Sequence, residues 1–148
     1  MLQSFPPGAD THLMFQALRS ARPPIDRALD ALPAEYHAMA SGQERIVVGP
    51  TGAFALTPPE PDVETAARRV STAASEVRKY VAAALSWAPF VDALIVVDGP
   101  GGRVESVGLV PSRLLTRMIT DGPRLLDDHL VDRIMAEVDQ HTTAIVKR

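Results

Sequence analysis

Thiol chemistry is closed to this chain. The 148 residues include no cysteine, which excludes disulfides, thiolate nucleophiles and cysteine-held zinc. Four histidines, His12, His37, His129 and His141, are scattered, with no H-x-x-H or H-E-x-x-H spacing, so nothing marks a histidine-held metal. His37 reads as a half-exposed or satisfied strand histidine. Asp26 and Asp30 stand one helical turn apart and are of the type that shares acid–base work, but Arg27 lies beside them and they read as a solvated face. The acidic residues Asp127, Asp128, Asp132, Glu137 and Asp139 read the same way, because a hard-cation site needs ligands converging from several directions. The run D-G-P-G-G at 98–102 lacks the G-K-[ST] ending of a phosphate loop and joins a strand to a strand. One dense group of positive charge stands out in a chain of formal net charge −3: Arg68, Arg69, Arg78 and Lys79. Such a group suits an acidic protein face or a phosphate backbone, although on a long helix it equally serves solubility.

The elements that position these residues centre on Glu44–Thr57, E-R-I-V-V-G-P-T-G-A-F-A-L-T. Ile46, Val47 and Val48 suit a buried strand, Pro50 presets a turn, and Gly49 and Gly52 admit conformations closed to other residues. The pattern predicts a tight hairpin of strands 45–48 and 53–56 in the middle of a sheet. Before it, Pro6, Pro7 and Gly8 mark a loose lead-in, and Thr11 offers an N-cap for a short helix to Arg19 with Leu13, Met14, Phe15 and Leu18 on one face. That face either docks on the domain or meets a partner. A second helix starts at Pro23 and Pro24, buries Ile25, Leu29 and Leu32, and stops at Pro33; a first strand covers 35–40.

After Thr57, P-P-E-P-D ends the strand. Pro61 at the first helical position, with Asp62 and Glu64 in the first turn, then opens the longest helix, to Leu85. Val63, Ala67, Val70, Ala74, Val77, Val81 and Ala84 give it one small apolar stripe, and Glu64 is placed to pair with Arg68. Trp87 reads as a plug between helix and sheet. Strands at 91–97 and 104–110 follow, then a helix with Leu114, Leu115, Met118 and Ile119, and a last helix at 124–139 burying Leu126, Leu130, Ile134 and Val138.

The run V-V-G-P-T-G-A-F resembles the core of the nuclease-related domain (NERD), a branch of the PD-(D/E)XK nuclease-like fold. Its usual form there is roughly D-H-x-V-V-G-P-x-G-V-F-x-I-E-x-K. The resemblance covers about residues 22–140, including the order helix, three strands, long helix, two strands, two helices. It implies an α/β three-layer sandwich, restriction-endonuclease-like, with a central mixed sheet of about five strands flanked by helices. Its catalytic set does not carry over. Glu44 stands where the family has its metal-binding Asp, Thr57 where it has Glu, Pro59 where it has Lys, and Ala21–Arg22 where a helix carries Gly-Glu. In that fold the carboxylates hold a divalent cation and the Lys places or deprotonates water, so Arg22, Glu44, Thr57 and Pro59 make a degenerate site.

A chain of this length, 46% hydrophobic and 22% charged, suits one domain with a proper core. The expected division is an N-terminal segment at 1–21 and a single NERD-like domain at 22–148. No apolar run approaches the ~20 residues of a membrane span, and the N-terminus lacks the basic start and apolar core of a signal peptide. A cytoplasmic protein is the expectation. The functional expectation is a catalytically inactive NERD-like protein acting as a binding module, without cofactor or metal, for a protein partner or, on weaker grounds, nucleic acid. Phe15, Arg68, Arg69, Arg78 and Lys79 are its binding candidates. Two alternatives stay open: a metal-dependent DNA nuclease whose site has moved to Glu60, Asp62 and Arg68 or Arg69, and a ligand-responsive regulator.

Overall fold

The Gly49–Gly52 turn joins β2 (Glu44–Gly49) to β3 (Gly52–Thr57), which pair antiparallel with Arg45 opposite Leu56 and Gly49 opposite Gly52. The computed structural model describes residues 23–147; the expected helix at 11–19 with Phe15, and Arg22, lie outside the described residues. Gly52 has φ 134°, a conformation that demands glycine. Gly49 is needed for space instead, because a Cβ there would sit 2.2 Å from Cδ1 of Tyr36. The hairpin tip is tied down by its own polar groups. Thr51 Oγ1 donates to the Ile119 carbonyl at 2.6 Å and lies 3.0 Å from the Tyr36 hydroxyl, while the Pro50 carbonyl accepts from the amides of Leu125 and Leu126.

The remaining elements extend this hairpin on both sides. In chain order they are α1 (Pro24–Asp30), β1 (His37–Ser41), the β2–β3 hairpin, α2 (Val63–Leu85), β4 (Val91–Val97), β5 (Gly102–Val104), β6 (Val107–Pro111), a 3-10 turn (Ser112–Leu114), α3 (Leu115–Thr120), α4 (Asp128–His141) and β7 (Ala144–Lys147). The sheet is mixed and ordered β5-β6-β4-β3-β2-β1-β7, so β3 is its middle strand. β3, β4 and β6 run parallel to their neighbours in that trio; the other pairings are antiparallel.

Strand alternation divides the core in two. Ile46, Val48, Ala53, Ala55, Val91 and Ile95 meet the stripe Ala66, Val70, Val77 and Val81 of α2 and Val131, Ile134 and Val138 of α4. Val47, Phe54, Leu56, Leu94 and Val96 meet Ile25 and Leu29 of α1 and Leu115 and Ile119 of α3. The result is an α/β sandwich with helices on both faces of the sheet.

Several expectations are corrected. Among the described residues the sheet has seven strands, not about five. Glu105, at φ 56°, turns the expected strand 104–110 back on itself, which makes the β5–β6 hairpin. β7, for which no strand was expected, pairs with β1. α2 begins at Val63 with Asp62 as its N-cap, accepting from Thr65 N at 2.8 Å, so Pro61 precedes the helix rather than starting it. α4 likewise begins at Asp128, capped by Asp127; Leu126 is buried ahead of the helix and Leu130 only partly. Ala84 is exposed. Trp87 is 48% exposed and plugs nothing; Pro89 is the buried residue of that connection.

Candidate functional site

Glu44 and Thr57 lie at the same end of the β2–β3 ladder, on the face covered by α2. Arg69 of α2 reaches back onto both. Its Nε donates to Glu44 Oε2 at 2.8 Å, its Nη2 to Thr57 Oγ1 at 2.7 Å and the Pro58 carbonyl at 3.3 Å, and its Nη1 to the Glu60 carbonyl at 2.9 Å. Thr57 Oγ1 itself donates to Glu44 Oε2 at 3.0 Å. The Glu44 and Arg69 side chains are 12% and 25% exposed, and Thr57 is fully buried. All three guanidinium nitrogens are thus committed inside the protein, in the fixed fork geometry that suits Arg rather than Lys.

This arrangement has the parts of a structural lock. The positive charge beside Glu44 is an arginine from the chain itself, the neighbouring side chain is a neutral hydroxyl, and Pro59 has no proton to give or take. A divalent cation would meet one carboxylate already bound twice, which does not fit the oxygen-rich shell such ions take. Among the described residues no group of three His, Asp or Glu is placed to hold a metal ion. Glu60 contributes a backbone carbonyl, and Asp62 is spent on the α2 cap, where bonds from Thr65 hold its carboxyl below the usual range.

The four basic candidates divide. Arg69 turns inward. Arg68, exposed, donates to Thr65 Oγ1 at 3.4 Å; Lys79 is exposed; and the Arg78 guanidinium lies 5.8 Å from the ring centroid of Phe90. Asp26, expected on a solvated face, is instead buried and bound through both oxygens by Arg45 at 2.6 and 3.1 Å. Asp132 and Asp139 remain exposed on α4, as read. Helical spacing holds the signal for Arg69: it stands three residues after buried Ala66 and one before buried Val70, at the margin of the apolar stripe. Nothing in residue type or spacing marked Arg45 as the partner of Asp26.

At the carboxyl ends of β3, β4 and β6 lies a cavity of about 350 Å³ on the α1 side, walled by Pro24, Pro58, Pro59 and Val96, with Glu60 and Asp98 among its polar groups. Crevices at this end of parallel strands are where α/β folds commonly take ligands. Among the described residues, no helix is long and apolar enough to cross a membrane. No family model matches the chain, and no curated protein or solved structure matches it either.

Proposed function

We propose that this chain is a restriction-endonuclease-like protein of nuclease-related-domain descent that has lost catalysis and acts as a binding module. Arg69 carries the reading. Its guanidinium occupies the positions around Glu44 and Thr57 where the resemblance would put a cation and its ligands. The order α1, three strands, α2, β4 is also the succession that the resemblance implies. With Thr57 for a carboxylate and Pro59 for a lysine, Glu44 serves the fold by anchoring α2 to the hairpin.

The test is direct. Purified protein, incubated with end-labelled DNA or RNA and Mg²⁺ or Mn²⁺, is expected to leave both intact. Cleavage that disappears in Glu44→Gln would overturn the reading. A ligand-responsive regulator is the second reading, favoured by the proline-walled cavity. A thermal-shift screen against small metabolites separates it, since a regulator gains stability from one of them.

A further inference from the structure

Exposed aromatics and free cations meet at one end of α2. Trp87 and Phe90, on the connection to β4, are 48% and 69% exposed. Scattered exposed apolar residues are ordinary, but Phe90 has Arg78 over its ring, and aromatic and Arg side chains are the types enriched at protein-binding surfaces. An open groove of about 670 Å³ runs from Phe90 between α2 and the first residues of β4 to the β5–β6 hairpin, bringing Arg78, Lys79 and Arg103 around Asp92. None of the three cations lies within ion-pair distance of a carboxylate among the described residues. Arg78 lies over the Phe90 ring, so the cation and the aromatic face are presented together at the mouth of the groove.

We propose that this groove docks an acidic segment of a protein partner, which sets an apolar side chain against Phe90 and places carboxylates on Arg78, Lys79 and Arg103. Nucleic acid fits less well. A phosphate backbone carries a charge at every step and would meet the Asp92 carboxylate in the groove. The next outward arginine on α2, Arg68, is ten residues back, about 15 Å along the helix, with Glu76 between them. A peptide can leave a neutral residue opposite Asp92. The groove is separate from the lock at Arg69, which stands nine residues before Arg78, about 13 Å along the helix axis.

The proposal rests on the binding-module reading and fails separately from it. Cleavage of nucleic acid removes that reading, whereas the groove is tested by panning a random-peptide library against the full chain, with Arg78→Glu/Arg103→Glu as the counter-selection bait. Enrichment of peptides rich in Asp and Glu around an aromatic or aliphatic residue is expected. Their affinity should fall on the order of 100-fold in that variant and on the order of 10-fold in Phe90→Ala, and should weaken with added salt. Circular dichroism verifies that both variants stay folded, as their exposed positions lead one to expect. No enrichment, peptides without an acidic bias, or equal binding to the variants would overturn the proposal. So would tight binding of oligo-dT that the same substitutions abolish, since the occupant would then be nucleic acid.

Discussion

Glu44 and Arg45 are neighbours in β2 whose side chains leave the sheet on opposite faces to bind helices in opposite layers. Glu44 Oε2 takes Arg69 Nε of α2 at 2.8 Å, and Arg45 Nε donates to Asp26 Oδ1 of α1 at 2.6 Å. Strand alternation makes this possible, since consecutive residues necessarily point to different layers. One dipeptide therefore bolts both helical layers to the hairpin that every other strand is built upon.

Breaking either bolt on one side should cost more than removing both partners. Arg69→Met leaves the Glu44 carboxylate part-buried with only Thr57 as donor, a loss of about 2 to 3 kcal/mol, below the range for fully buried pairs because both side chains retain some exposure. Arg45→Met, which strips Asp26 of its bidentate partner, should cost about 3 kcal/mol. Urea unfolding of the double-mutant cycles measures the coupling. The Arg69/Glu44 and Arg45/Asp26 cycles should each show about 1 to 3 kcal/mol of interaction. Additive behaviour within either pair would mean that its bonds carry no stability.

Gly49→Ala should be costly for steric reasons alone. The added Cβ would lie 2.2 Å from Tyr36 Cδ1 and 2.5 Å from Cε1. The ring has nowhere to go: Tyr36 is 2% exposed and its hydroxyl is tied to Thr51. A loss of about 3 kcal/mol is expected, at the upper end for overpacking. In a Tyr36→Ala background the same substitution should be nearly neutral, and equal losses in both backgrounds would place the strain in the backbone instead.

Much of the frame was legible because it rests on local chemistry. The Gly-Pro-Thr-Gly turn, the β-branched runs of β2 and β4 and the three-and-four stripe of α2 each specify an element by period and turn type. The site was legible as far as naming Glu44 and Thr57 together, but not in what joins them. Arg69 comes from a helix that meets the hairpin only in the tertiary fold, and its type reads equally well as solvent-facing. The burial of Asp26 is hidden for the same reason, its partner being nineteen residues away on another element. The β5–β6 turn escaped because it is made by Glu105 in a left-handed conformation, without a glycine at that position. Trp87 was assigned to the interior by size, yet the buried residue there is Pro89.

Tyr80 should report on the α2–α4 junction at alkaline pH. Its ring stacks on His141 with centroids 3.9 Å apart, and burial, with the nearby Glu76 and Glu137 charges, pushes its phenol up to about 12. A folded value above the ordinary one near 10 means that the stabilisation is fully present below that pH and is lost as pH rises through about 12. Wild-type protein should therefore lose stability over this window more steeply than Tyr80→Phe, measured by denaturant unfolding. Parallel curves would show that the phenol is solvated.

Asp92 offers the opposite kind of test, one in which removing a charge improves the fold. Asp92 is exposed as a residue, yet partial desolvation of its carboxyl in the α2 groove raises it above the ordinary 3.8, with Arg103 opposing the shift by the smaller amount. Raised in the folded state, the group favours folding only while it is protonated. Its contribution is complete below the unfolded value and is lost as pH rises through the folded one. At neutral pH the ionised form is therefore a burden, and Asp92→Asn should stabilise the protein there. The gain should shrink to nothing as pH falls below 3.8, where both forms are neutral. Arg103→Met should enlarge it, because the cation that opposes the shift is gone. Unfolding curves for the three variants across acidic and neutral pH provide the measurement. The same substitution bears on docking, since an acidic segment over Arg78 and Arg103 would no longer face a carboxylate in the groove. Peptides selected on the wild type should bind Asp92→Asn more tightly, and unchanged affinity would mean that they lie away from β4.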